Sequence, residues 1–63
     1  MNISEIDRVH FTGSTVVFQR TNASHTGWCA MAYEKGLPVA SRTITEDQVL
    51  EYMEKHEHST TLR

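Results

Sequence analysis

The stretch "WCAMAYEKGLPVASRTITEDQVLEYMEKH", Trp28 to His56, decides the fold. Its first half is rich in residues that suit a pleated sheet, and its second half carries a helix start. Trp28 to Glu34 reads as one strand and Leu37 to Ile44 as the next. Between them, Glu34-Lys35-Gly36 fits a three-residue hairpin loop with Gly36 in the left-handed conformation. In that register Tyr33 faces Leu37, Met31 faces Val39 and Cys29 faces Ser41. One face then carries Cys29, Met31, Tyr33, Leu37 and Val39, and the other carries Trp28, Ala30, Ala32, Ala40 and Arg42. A two-residue Lys35-Gly36 turn is the alternative, and it regroups the faces. Pro38 lacks an amide proton and belongs at a strand start or on an edge.

Thr45-Glu46-Asp47-Gln48 is a capping box: Thr45 caps the amide of Gln48, and the Gln48 side chain reaches back. Ile44 before the cap and Val49 after it form a hydrophobic staple. Glu46 and Asp47 sit where the helix dipole favours anions. Val49, Leu50, Tyr52, Met53 and His56 follow at helical spacing, and Glu51 and Lys55 form an i,i+4 pair. The helix is predicted over residues 45–57, and residues 58–63 are predicted to fray.

Working outward, Ser14 to Arg20, "STVVFQR", is β-branched and aromatic and reads as a strand. "TNASHTG", Thr21 to Gly27, reads as a loop. Ahead of these, a helix over Ser4 to His10 and a strand over Arg8 to Phe11 are both open readings. The expected fold is α+β: a three-stranded antiparallel meander with a C-terminal helix packed on it, extended by a fourth N-terminal strand or a short helix.

The chain has 63 residues, enough for one domain of modest stability. Cys29 is the only cysteine, so no disulfide forms within the chain, which suits a reducing cytosol. No secretory signal is read at the start, and the apolar stretch Trp28 to Tyr33 is far too short to span a bilayer. The expected location is therefore cytoplasmic. Asn22-Ala23-Ser24 fits a glycosylation sequon and reads as a chance tripeptide in that setting.

The net charge of −2 is unevenly spread. Up to Ile44, Glu5, Asp7 and Glu34 stand against Arg8, Arg20, Lys35 and Arg42, a balance of +1. From Thr45 on, Glu46, Asp47, Glu51, Glu54 and Glu57 stand against Lys55 and Arg63, a balance of −3.

No catalytic or metal constellation is read. His25 and Cys29 are four apart but lack the paired short spacings of a zinc site. His56 and His58 would point to different faces of a helix. Cys29 as a nucleophile needs a base and an oxyanion hole, and a chain this short has little room for a substrate pocket. "FTGST", Phe11 to Thr15, has no following Lys and reads as a turn, not a phosphate loop. No cofactor, catalytic residue or metal ligand is expected.

Two surfaces remain as candidates for partner binding. The first is Trp28 with Arg42 and Arg20, since Trp and Arg dominate binding hot spots and Arg over an indole is a cation–π pair. The competing reading is that Trp28 caps the core beneath the helix. The second is the acidic ridge of Glu46, Asp47, Glu51 and Glu54, which can steer toward a basic partner.

Three function classes follow. The expected one is a small non-enzymatic interaction module, an inhibitor or adaptor of a larger protein, with a homodimer as a further option. Chains of this size and layout are common among phage-encoded proteins directed at host machinery. Alternatively, the three strands and helix from about Ser14 to His56 resemble integrase arm-binding and AP2-like DNA-binding domains. Those sheets are rich in Arg and Lys, and here the sheet offers only Arg20, Lys35 and Arg42, so the charge argues against nucleic acid. Finally, "TVVFQ" and "TITEDQVLEYM" are similar to the strand and helix start of the HicB antitoxin family, though the family's Gly-rich loop pattern is missing.

Overall fold

A computed structural model describes residues 3–21 and 27–62. Residues 22–26 lie outside it, and with them the sequon, His25 and most of the expected 21–27 loop. A 3₁₀ turn at Ile3–Glu5 leads into β1 (Ile6–Phe11), β2 (Val16–Arg20), β3 (Trp28–Glu34), β4 (Leu37–Ile44), α1 (Glu46–Lys55) and β5 (His58–Leu62). The strands form one sheet in the order β4-β3-β2-β1-β5, with every pairing antiparallel. The protein is thus a small α+β domain with five strands and one α-helix among the described residues, where three strands with one optional addition were expected.

Both additional strands lie beyond the meander. β1 pairs with β2 through Val9 opposite Phe18, and the helical reading of Ser4 to His10 gives way to the 3₁₀ turn and this strand. β5 replaces the frayed tail. Polar "HSTTL" has no hydrophobic alternation to announce a strand, yet it pairs along β1 with Thr60 opposite Val9 and His58 opposite Phe11. The helix stops at Lys55, before the expected end at residue 57. His56 is already extended, at φ −132° and ψ 143°, because the chain must turn back toward the edge of β1. The Thr12 amide donates to the Glu57 carbonyl at 3.0 Å and fixes that turn.

At the other end of α1, Thr45 accepts from the Gln48 amide at 3.2 Å and donates its own amide to Gln48 Oε1 at 2.9 Å. This reciprocal cap satisfies two of the free polar groups at the helix start. Ser14 and Thr15 are drawn out of β2 by a turn in which Ser14 Oγ accepts from the Val16 amide at 3.0 Å.

The β3–β4 hairpin corrects the expected register. Glu34 faces Leu37 across a two-residue turn, with Lys35 at φ 54° and Gly36 at φ 81°. Positive φ at both positions matches the right-handed twist of the flanking strands. The register then slips between Tyr33 and Ala32, where Pro38 cannot donate to the ladder. Beyond this bulge Ala32 faces Ala40, Ala30 faces Arg42 and Trp28 faces Ile44. The pairing is displaced by two residues from the expected one. A shift of two preserves sides, so Trp28, Ala30, Ala32, Ala40 and Arg42 still share a face.

α1 runs from the end of β4 to the start of β5 and packs on that face through Val49 and Met53. Beneath it lies the core of Ile6, Val9, Phe18, Trp28 and Val49, with Ile3, Ile44 and Met53 packed around it. No helix among the described residues is long and apolar enough to cross a membrane.

Candidate functional site

Of the residues that the sequence grouped as a Trp–Arg surface, the structure buries Trp28 and Arg20 together and leaves Arg42 apart from them. Trp28 is 0% exposed and Arg20 only 6%. Together they form an internal knot. The Arg20 guanidinium carbon lies 4.6 Å from the centre of the indole. Its Nε donates to the Ile6 carbonyl at 3.1 Å, and Nη2 donates to the carbonyls of Ile6 at 3.0 Å and Ile3 at 2.7 Å. Nη1 stands 4.0 Å from Glu46 of α1. One guanidinium therefore joins β1, the 3₁₀ turn, β3 and the helix start. A buried charge persists only when paired and hydrogen-bonded, and Arg20 is both. Neither Trp28 nor Arg20 offers a surface in this structure, so the reading of Trp28 as core is the one the packing matches. The indole Nε1 is buried with no hydrogen-bond partner among the described residues.

Arg42 is exposed and stands opposite Ala30, two positions along from Trp28. It makes no ion pair among the described residues. The acidic ridge is split too. Glu46 is half-buried against Arg20, whereas Asp47, Glu51 and Glu54 are exposed. Glu51 accepts from Lys55 Nζ at 2.8 Å. That hydrogen bond and the ammonium charge hold the Glu51 carboxyl below the usual carboxylate range and raise Lys55 above the usual lysine value.

Arg42 instead borders a groove of about 720 Å³ between α1 and the β3–β4 hairpin. Its floor is Val16, Ala30, Ala32 and Ala40, and its helix wall is Gln48, Tyr52 and His56. Gln48 and Tyr52, four apart, share one flank of α1, and His56 extends the wall just past the helix end. Tyr52 is edge-on to Phe18 at 5.3 Å and stacks with His56 at 5.7 Å, and Phe11 closes the end of the wall. Tyr52 remains 47% exposed, and Leu37 and Val39 near the hairpin tip are exposed as well.

Sequence reasoning did not single out Tyr52 or Phe11. The available signal was the alanine run itself: small residues at Ala30, Ala32 and Ala40 on the same side as a large, half-polar aromatic of the helix. Cys29 lies on the opposite side of the sheet, half-buried. No cluster of three or more His, Cys, Asp or Glu residues suited to a metal ion occurs among the described residues.

No protein-family model matches the chain, and no curated protein or solved structure matches it.

Proposed function

We propose that the protein is a small, non-enzymatic interaction module that inhibits or bridges a larger protein partner. The observation that carries this reading is the apolar groove beside α1, left open in a domain whose described residues include only five buried hydrophobic side chains. Exposed contiguous apolar surface on a small domain marks interaction sites. The neighbouring acidic ridge gives the surface a sign, which favours a partner with basic flanks.

The nucleic-acid alternative loses ground on the same account. Arg20 is internal, so among the described residues Arg8, Lys35 and Arg42 are the Lys and Arg side chains that the sheet and its hairpin turn leave exposed to meet phosphate, beside an acidic helix. The setting we propose is the cytoplasm, with an action on host machinery like that of small phage proteins.

Affinity capture from the source cells with mass spectrometry, run beside a salt-graded DNA and RNA binding assay, tests the reading. A stoichiometric protein partner with no nucleic-acid binding tighter than micromolar is the expected result. Tight binding to nucleic acid that falls steeply with salt and is relieved by Arg42→Ala would replace it.

A further inference from the structure

We infer that the groove between α1 and the β3–β4 hairpin is a berth for one amphipathic α-helix of the partner, lying antiparallel to α1 with a basic flank against it. This rests on the interaction-module reading and names the shape and chemistry of what that module binds.

The first argument is dimensional. Five strands at their usual spacing make a sheet about 20 Å wide between its outer strands, and a helix with its side chains is about 10–12 Å across. One helix covers about half of such a face. The 3₁₀ turn covers a further corner, where Ile3 packs on the core and its carbonyl holds Arg20. At the corner of Ala30, Ala32 and Ala40, Ala30 packs on the edge of the core, Ala32 is half-buried and Ala40 is exposed, with the groove above them. Side chains this small leave room for a helix to approach the sheet as closely as α1 does.

The second argument is charge. Arg42 lines the groove near the start of α1, and Glu57 lines it near the end. A helix antiparallel to α1 would bring its amino-terminal amides to Glu57 and its carboxy-terminal carbonyls to Arg42. Each is the favourable pairing of a charge with a helix terminus. On the exposed side of α1, Asp47, Glu51 and Glu54 outnumber Lys55, which pairs with Glu51, so the rim above the groove stays negative and favours lysine or arginine on the side of the incoming helix that reaches it.

The third argument removes the competing occupants. A second copy is a poor source of the helix: α1 buries Val49 and Met53, and its exposed side, which includes Leu50, carries Asp47, Glu51 and Glu54, which the acidic rim of the groove would repel. Strand addition along β4 meets Pro38, which has no amide to donate, and the bulge beside it, two devices that blunt a sheet edge.

The test uses two peptide display libraries against the full chain. One holds roughly 12-residue amphipathic helices locked by lactam bridges, and the other holds unconstrained strand-forming peptides of the same length. The helical library is expected to yield binders with lysine or arginine on one flank. Their amide-shift footprint should cover Ala30, Ala32, Ala40 and Tyr52. Ala40→Arg, on the exposed floor, should weaken binding at least about tenfold, and Glu51→Lys roughly threefold to tenfold. Thr61→Arg, exposed on β5 and directed to the opposite face, should leave binding unchanged, and melting curves confirm that each variant is folded. The inference is overturned if neither library binds, if strand peptides alone bind, or if Ala40→Arg has no effect. A natural partner captured equally by the wild type and Ala40→Arg would overturn the groove and keep the interaction module. Failure to capture any partner with either would remove the module itself.

Discussion

The two ends of the β3–β4 hairpin share one backbone ladder and one sheet face, yet they differ in what they bury. At one end Trp28 and Ile44 meet Arg20, Val49 and Glu46 under the start of α1. At the other, Ala32 and Ala40 line the open groove, with no covering element among the described residues. In a chain this short a single helix supplies too little apolar surface to roof both. Large side chains accumulate where the roof lies, and alanines where it does not. The closed end therefore carries the stability, and the open end is free to vary without unfolding the chain.

The strongest way to break this comparison is at Trp28. Trp28→Ala removes a fully buried indole and should cost roughly 3–5 kcal/mol. A domain of this length has about 3–9 kcal/mol in hand, so the variant should be largely unfolded at room temperature. Urea or thermal melts followed by circular dichroism measure this. The wild-type indole should emit in the blue, as a buried Trp does. A well-folded Trp28→Ala protein would show that the closed end is not the core.

Arg20→Met tests the knot rather than the packing. The new side chain fills similar space but leaves the Ile3 and Ile6 carbonyls without their donors and Glu46 without its cation. The expected loss is about 2–4 kcal/mol, with the 3₁₀ turn released first. Amide exchange at Ile6 should quicken more than at Val49. A loss below about 1 kcal/mol would mean the turn is held by Ile3 packing alone.

These two residues also show what the sequence could and could not convey. The capping box at Thr45 and Gln48 is local, involving four consecutive residues, so its geometry was legible in the residues themselves. The pairing of Arg20 with carbonyls fourteen and seventeen residues away is not local, and Arg20 looked instead like a sheet-surface base. β5 was hidden for a similar reason. A polar edge strand owes its existence to the open edge of β1, which no property of "HSTTL" reveals. The groove was half legible: the alanines were grouped on one face, but which part of that face α1 covers is set by the long-range packing of Val49 and Met53 on Ile6, Val9, Phe18 and Trp28.

At the hairpin turn a gain is expected. Lys35 sits at φ 54°, where an L-residue with a full side chain is strained and asparagine is tolerated far better. Lys35→Asn should therefore stabilise by about 0.5 kcal/mol, and Gly36→Val should cost at least about 1 kcal/mol by forcing a β-branched residue to φ 81°. Both changes lie at the open end, so neither should alter the blue emission of Trp28. A loss from Lys35→Asn would argue for a longer loop and against the two-residue turn.

The smallest effect lies on the outer face of α1, in the Glu51–Lys55 pair. Both groups are fully exposed, so solvent and salt screen the interaction. Its direction is nevertheless fixed. The folded Glu51 carboxyl titrates below its unfolded value, chiefly because it accepts the Lys55 hydrogen bond and next because of the ammonium charge. Its contribution is present above the unfolded carboxylate pKa and disappears as pH falls through the lower folded value. Lys55 is raised for the same reasons, so its contribution is complete below the unfolded lysine pKa and is lost only as alkaline pH passes the higher folded value. Between those limits the pair is insensitive to pH. In a carboxyl-detected NMR titration, Lys55→Met should move the Glu51 midpoint upward. The melting difference between wild type and Glu51→Gln should be steady near neutrality, shrink in acid and shrink again in high salt. A Glu51 midpoint unmoved by Lys55→Met would mean that the pair does not persist in solution. The outer face of α1, above the groove, would then carry Glu51 as a carboxylate without its lysine and a correspondingly more negative rim.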